Sequence, residues 1–129
     1  MSRKLDKDIE EWAADLMNNI HKCGFSGINA VERILRDPGR STKGSNHFVH
    51  WWPKNRRISR ISKAMHQIDK ISQICLIVSA GCIMKETEKG KTVFTEKDLK
   101  NKSSLTVEEI RERVTVSKRR LAEILRRNR

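Results

Sequence analysis

Between Ile58 and Cys82 the apolar residues Ile58, Ile61, Met65, Ile68, Ile71, Cys75, Val78 and Cys82 recur at steps of three and four. Steps of that size return side chains to one face of an α-helix, whereas a strand would scatter them over both faces of a sheet. A chain carrying such a stripe must bury it. The pattern therefore predicts one helix of about 25 residues at the centre of an all-α core. Ser72 and Ser79 interrupt the stripe only mildly and its period is close to a heptad, which leaves a second solution open, a seam that pairs with another copy.

Leu5, Ile9, Trp12, Ala13, Leu16 and Ile20 predict an amphipathic helix ahead of this run. Its acidic side is Asp6, Asp8, Glu10, Glu11 and Asp15. That face is either solvated or holds Lys and Arg of a partner or of the chain's own C-terminus. Cys23 to Ser26 contains Gly24 and reads as a turn. Ile28, Val31, Ile34 and Leu35 predict a short helix over 27–36, ended by Pro38-Gly39. A chain of 129 residues makes one domain or two very small ones.

At the C-terminus, LTVEEIRERVTVSKRRLAEIL (105–125) reads as two helices and a turn. Thr106 and Glu109 have the spacing of a capping box, in which hydroxyl and carboxylate each satisfy the other residue's amide. Ile110 and Val114 give the first helix an inward edge, Val116 fills the turn, and Ser117 is a second good N-cap. Leu121, Ile124 and Leu125 are the buried edge of the second helix, with Lys118, Arg119, Arg120, Glu123, Arg126 and Arg127 outside. A helix braced in this way can enter the DNA major groove. Cations near its start can donate to guanine edges, Glu123 can accept from cytosine, and Ser117 with the first free amides can bind phosphate. The DNA-binding set is then Thr106, Ser117, Lys118, Arg119, Arg120, Glu123, Arg126 and Arg127.

This stretch resembles the helix-turn-helix of bacterial repressors and of the promoter-reading part of sigma factors, whose pattern runs roughly T-x-E-E-I-A-x-x-L-G-V-S-x-x-x-V. Arg111 replaces the small alanine of that pattern and Thr115 its turn glycine. A β-branched residue in a left-handed turn costs about 1 kcal/mol or more.

Charge points to a polyanionic partner independently of the motif. The chain has 28 Lys and Arg against 16 Asp and Glu, a formal charge of +12 and a pI near 10.1. No acid occurs from Pro38 to Gln67, while that stretch holds Arg40, Lys43, Lys54, Arg56, Arg57, Arg60 and Lys63 with Phe48, Trp51 and Trp52. Lys54, Arg56, Arg57, Arg60 and Lys63 are the second candidate set of nucleic-acid contacts, where phosphates would displace counterions and give salt-sensitive affinity. Trp51 and Trp52 either belong to the core or stack on bases. Residues 37–46 read as a loop, and RSTKGS lacks the order and the preceding strand of a phosphate-binding Walker loop.

Other chemistry finds little footing. Cys23, Cys75 and Cys82 are odd in number, without a C-x-x-C pair, and read as buried thiols. His47 and His50 can share one edge of a metal site, with His21 and Cys23 completing it, but nothing fixes their geometry, so neither metal nor cofactor is expected. No carboxylate pair lies in an apolar setting and no nucleophile has an evident base, so no catalysis is expected. There is neither a secretory leader nor an apolar run approaching the ~20 residues of a bilayer span, which predicts a soluble cytoplasmic protein away from membranes.

These features divide the chain into a helical core over 1–84 with a basic loop at 38–63, a charged segment over 85–102 that is either a linker or a wing with a short β-hairpin around Gly90, and the helix-turn-helix over 103–129. The tryptophan-bearing first helix (IEEWAADLMNN), the Gly-Phe turn after it and the terminal motif resemble phage antitermination proteins of the Q type. That resemblance implies double-stranded DNA near a late promoter and RNA polymerase holoenzyme as partners, in a bacterial host's cytoplasm. Lys118, Arg119, Arg120 and Arg126 would meet DNA, and the acidic first helix would face polymerase. Family members pass from core helix to motif by a short turn, whereas about 20 mostly charged residues intervene here. A dimeric repressor and a small basic protein that binds a host protein are the alternatives, and the oligomeric state stays open.

Overall fold

The computed structural model describes residues 3–22, 27–36 and 55–127. The Cys23–Ser26 turn, the 37–46 loop, and the expectations for His47, His50, Trp51, Trp52 and Lys54 lie outside them. Among the described residues the chain is mostly helical, with six helices and one two-stranded sheet: α1 Arg3–Lys22, α2 Gly27–Arg36, α3 Arg56–Met65, α4 Lys70–Ser79, β1 Met84–Thr87, β2 Gly90–Val93, α5 Glu96–Lys102 and α6 Val107–Arg127.

In α1 the six residues of the apolar stripe are all buried, with Trp12 the largest side chain in the core. Val31 of α2 is buried, and Ile28, Ile34 and Leu35 pack against the same core from its margin.

The single helix expected over 58–82 is two helices. At the end of α3 the amides of His66, Gln67 and Ile68 tighten onto the carbonyls three residues back. Asp69 then caps α4, its carboxylate accepting the Ser72 amide at 3.1 Å. Gln73 braces the corner from inside: buried, it donates through Nε2 to the carbonyls of both Met65 and Ile68 at 2.8 Å. Every residue from Ser72 to Val78 is buried, so α4 is enclosed on all sides by α1, α2, α5 and α6. Its seam is thus covered within the chain, which leaves no stripe for the paired-copy alternative. The helix closes at Gly81 (φ 73°), where the Cys82 and Gly81 amides return to the carbonyls of Ile77 and Val78. That Schellman closure places Cys82 beyond α4.

Burial pushes the Asp69 carboxyl up, but hydrogen bonds from the Ser72 side chain and amide, with the charge of Arg113, outweigh it and hold the group below its ordinary 3.8. A lowered pKa adds stability that is complete above the unfolded value and vanishes as pH falls through the folded one. Asp69→Ala is expected to cost about 1 kcal/mol at neutral pH, and the gap between the two proteins should close in strong acid. Urea denaturation at both pH values checks this. Cys75 lies within α4, and burial pushes its thiol up to about 11.

Over 85–102 the chain forms a hairpin followed by α5. Met84 pairs with Val93 and Thr87 with Gly90 around a two-residue loop, and Gly90 takes φ 114°. The buried Ile83 and Phe94 anchor the hairpin to the core, joined by a Phe94 amide to Ile83 carbonyl bond of 2.8 Å. Lys85 reaches Asp98 of α5 at 2.6 Å, and that hydrogen bond holds the Asp98 carboxyl below its ordinary value.

Residues 107–127 form one helix, so the turn expected at Thr115–Val116 is absent. The Thr106–Glu109 capping box does start it, with the Glu109 amide donating to Thr106 Oγ1 at 3.1 Å and the Thr106 amide to Glu109 Oε1 at 3.4 Å. Beyond that, nothing stops the helix. No glycine or proline interrupts it, Thr115 turns its hydroxyl back to the Arg111 carbonyl at 3.1 Å, and Ser117 is buried mid-helix instead of capping. Arg111 pairs with Glu96 of α5 at 2.8 Å. Ile110, Leu121 and Ile124 join the same buried cluster as α1 and α4. Among the described residues no helix is long and apolar enough to cross a membrane.

Candidate nucleic-acid interface

Helix α3 reads RRISRISKAM, and burying Ile61, Ala64 and Met65 turns its arginines outward. Arg56 and Arg57 occupy the first turn, where Asn55 caps the helix by accepting the Arg57 amide at 2.8 Å, and no acid follows them there. Cations at that end oppose the helix dipole, typically by about 0.3–1 kcal/mol each at low salt. Part of that cost is met by α1. Arg57 pairs with Asp8 at 3.3 Å and donates to Glu11. Arg60 acts differently, giving Nη2 to the Leu125 carbonyl at 2.9 Å. That carbonyl belongs to the last turn of α6, where helix geometry leaves acceptors unfilled.

These contacts seat α3 between α1 and α6 and leave a cleft of about 700 Å³. Lys4, Arg56, Arg57, Arg60 and Arg126 line it with a single carboxylate, Asp8, while Leu5, Ile61, Ala122 and Leu125 give it an apolar floor. Basic segments far apart in sequence thus meet at one place. Arg56 and Arg126 reach it with no ion-pair partner among the described residues. Phosphate oxygens are the group such donors recognise, arginine by a planar fork and lysine as a point charge.

The other expected contacts are distributed around this cleft. Arg119 and Arg120 are exposed on the outward face of α6 without an ion-pair partner among the described residues, as is Lys63 on α3. Glu123 and Arg127 are exposed and occupied with each other at 2.8 Å. Lys118 departs from its expected role: its ammonium pairs with Asp6 of α1 at 3.0 Å and its side chain is 24% exposed. Ser117 cannot offer a phosphate the free amides of a helix start, because it lies buried in mid-helix. Thr106 caps the opposite end of α6, about 30 Å from Arg127 by the rise of the helix.

Sequence reasoning missed Lys4, which no spacing links to residues 56–126. The acids of α1 read from the sequence as solvated or as holding Lys and Arg of a partner or of this chain's own C-terminus; Lys118 comes from the C-terminal helix, whereas Arg57 comes from the middle of the chain. Asp6, Asp8 and Glu11 are engaged by Lys118 and Arg57, while Glu10 stays exposed. Among the described residues no group of three His, Cys, Asp or Glu side chains is placed to hold a metal. No protein-family model, curated protein or solved structure matches the chain. The chemistry of the site itself is therefore the guide to its function.

Proposed function

We propose that this protein binds nucleic acid through the cations where α1, α3 and α6 meet, and that it acts as a DNA-binding regulator of transcription. One observation carries the reading: a chain of charge +12 brings Arg56 and Arg126, neither with an ion-pair partner among the described residues, to one cleft beside Arg57 and Arg60. Glu108, Glu109 and Glu112 make the start of α6 repel phosphate, so contact falls to the C-terminal half of that helix. Arg56 and Arg126 are the phosphate contacts, and Arg119 and Arg120 on the outward face are the candidates for base edges.

Salt-dependent titration against duplex DNA is the test. Removing one phosphate-binding cation should lower the slope of log K against log salt by about 0.9, so Arg56→Ala with Arg126→Ala is expected to reduce it by close to two. A slope unchanged in the double variant would place the phosphates elsewhere. Arg119→Ala should cost about 1–3 kcal/mol on a preferred site and relax base preference there. Equal losses on every sequence would reassign Arg119 to the backbone. Resemblance to antitermination factors, which without the terminal turn rests on the sequence of the first helix and the Gly-Phe pair after it, adds RNA polymerase holoenzyme as second partner, with Glu10 and Asp15 the part of the α1 acidic face left to meet it. A DNA complex indifferent to added polymerase would remove that partner.

A further inference from the structure

We infer that the α1–α3–α6 cleft holds an unpaired nucleotide, its phosphates on the arginine rim and its base on the apolar floor. The inference rests on the nucleic-acid reading above and sharpens it. Phosphate contact alone asks only for cations on a convex or flat surface. Here the cations instead ring a depression of about 700 Å³, within the ~300–1,000 Å³ range of sites that enclose small organic ligands. Its floor is Leu5, Ile61, Ala122 and Leu125 from three helices, and such a floor gains nothing from phosphate oxygens.

An intact duplex cannot use it. Duplex bases are stacked face to face, and withdrawing one costs a few kcal/mol, so a paired helix touches the rim and leaves the floor empty. An unpaired strand exposes its base faces and can fold one inward, while guanidinium planes add a surface on which bases stack. Free nucleotides carry the same two groups. A strand brings neighbouring phosphates as well, which Arg56 and Arg126 on two different helices are placed to meet around the rim.

The experiment compares a single-stranded oligonucleotide, a duplex of equal length, the matching mononucleotide and inorganic phosphate, read by affinity and by NMR of the Leu5, Ile61 and Leu125 methyl groups. The single strand is expected to bind at least about tenfold tighter than duplex, shifting those methyls where inorganic phosphate does not. Ala122→Leu, which fills the floor while keeping a good helix former, should bring the single-strand affinity down toward that of duplex at unchanged melting temperature.

Equal affinity for single strand and duplex, with shifts confined to the arginine rim, overturns the inference and leaves the phosphate reading intact. Salt-insensitive or negligible binding to both overturns the two together. A mononucleotide that matches the oligonucleotide in affinity makes the ligand a free nucleotide and overturns the strand assignment. An acidic amphipathic peptide that shifts the same methyls at lower concentration than the oligonucleotide makes the cleft a protein-binding one, and likewise overturns it.

Discussion

Gln73→Met is expected to lower the stability of this protein by about 2–3 kcal/mol, a large effect for replacing one side chain by another of nearly its shape. Methionine fills the same space without amide donors, so packing changes little. What disappears is the pair of 2.8 Å bonds from Nε2 to the carbonyls of Met65 and Ile68. Met65 keeps the Ile68 amide as a donor, whereas the Ile68 carbonyl loses the bond that Gln73 supplies. A buried carbonyl left unpaired costs about 1–3 kcal/mol, and the corner between α3 and α4 loses its internal brace. Urea denaturation with an unchanged m-value would show this as a lower midpoint. A loss below about 0.5 kcal/mol, the range of ordinary surface changes, would mean the corner holds without the amide.

Val116→Pro is the second large effect, expected at about 3 kcal/mol. Val116 is 53% exposed, so little packing is at stake and the cost falls on the backbone. Proline removes the amide that bonds one turn back, and its ring collides with that carbonyl. In a two-helix arrangement residue 116 would precede a helix start, where proline is tolerated. Val116→Ala serves as the control and should stay within about 0.5 kcal/mol of the parent. A proline variant as stable as that control would show the helix to be broken at this point.

The outer helices were legible because each carries its own complete signal. The α1 stripe, the α2 stripe and the T-x-x-E capping box of α6 are local, and local patterns survive folding. The corner at residues 66–69 was hidden by the very pattern that made 58–82 conspicuous. Steps of three and four continue across it, because α3 and α4 both bury that side, and Asp69 and Gly81 were the only local marks of a helix start and end. At 115–117 the error ran the other way. A motif resemblance supplies a turn that V-T-V-S has no glycine or proline to enforce, while Ile110, Leu121 and Ile124 all find the same core along one continuous helix. For the candidate site, composition marked Arg56, Arg57, Arg60 and Arg126 as cations. Their meeting with Lys4, and the engagement of Lys118 by Asp6, depend on how three distant helices cross, which no window of sequence contains.

The first turn of α3 sets two arginines at the positive end of a helix that has no acid of its own there. Like potentials crowd together there, relieved only in part by Asp8 and Glu11. An anion seated beside Arg56 would complete that relief, so occupancy and the winding of α3 become thermodynamically linked. The helix then behaves as a latch whose tightness reports its ligand. Polyanions should raise the melting temperature of the whole core through this one turn, and removing them should let its start fray.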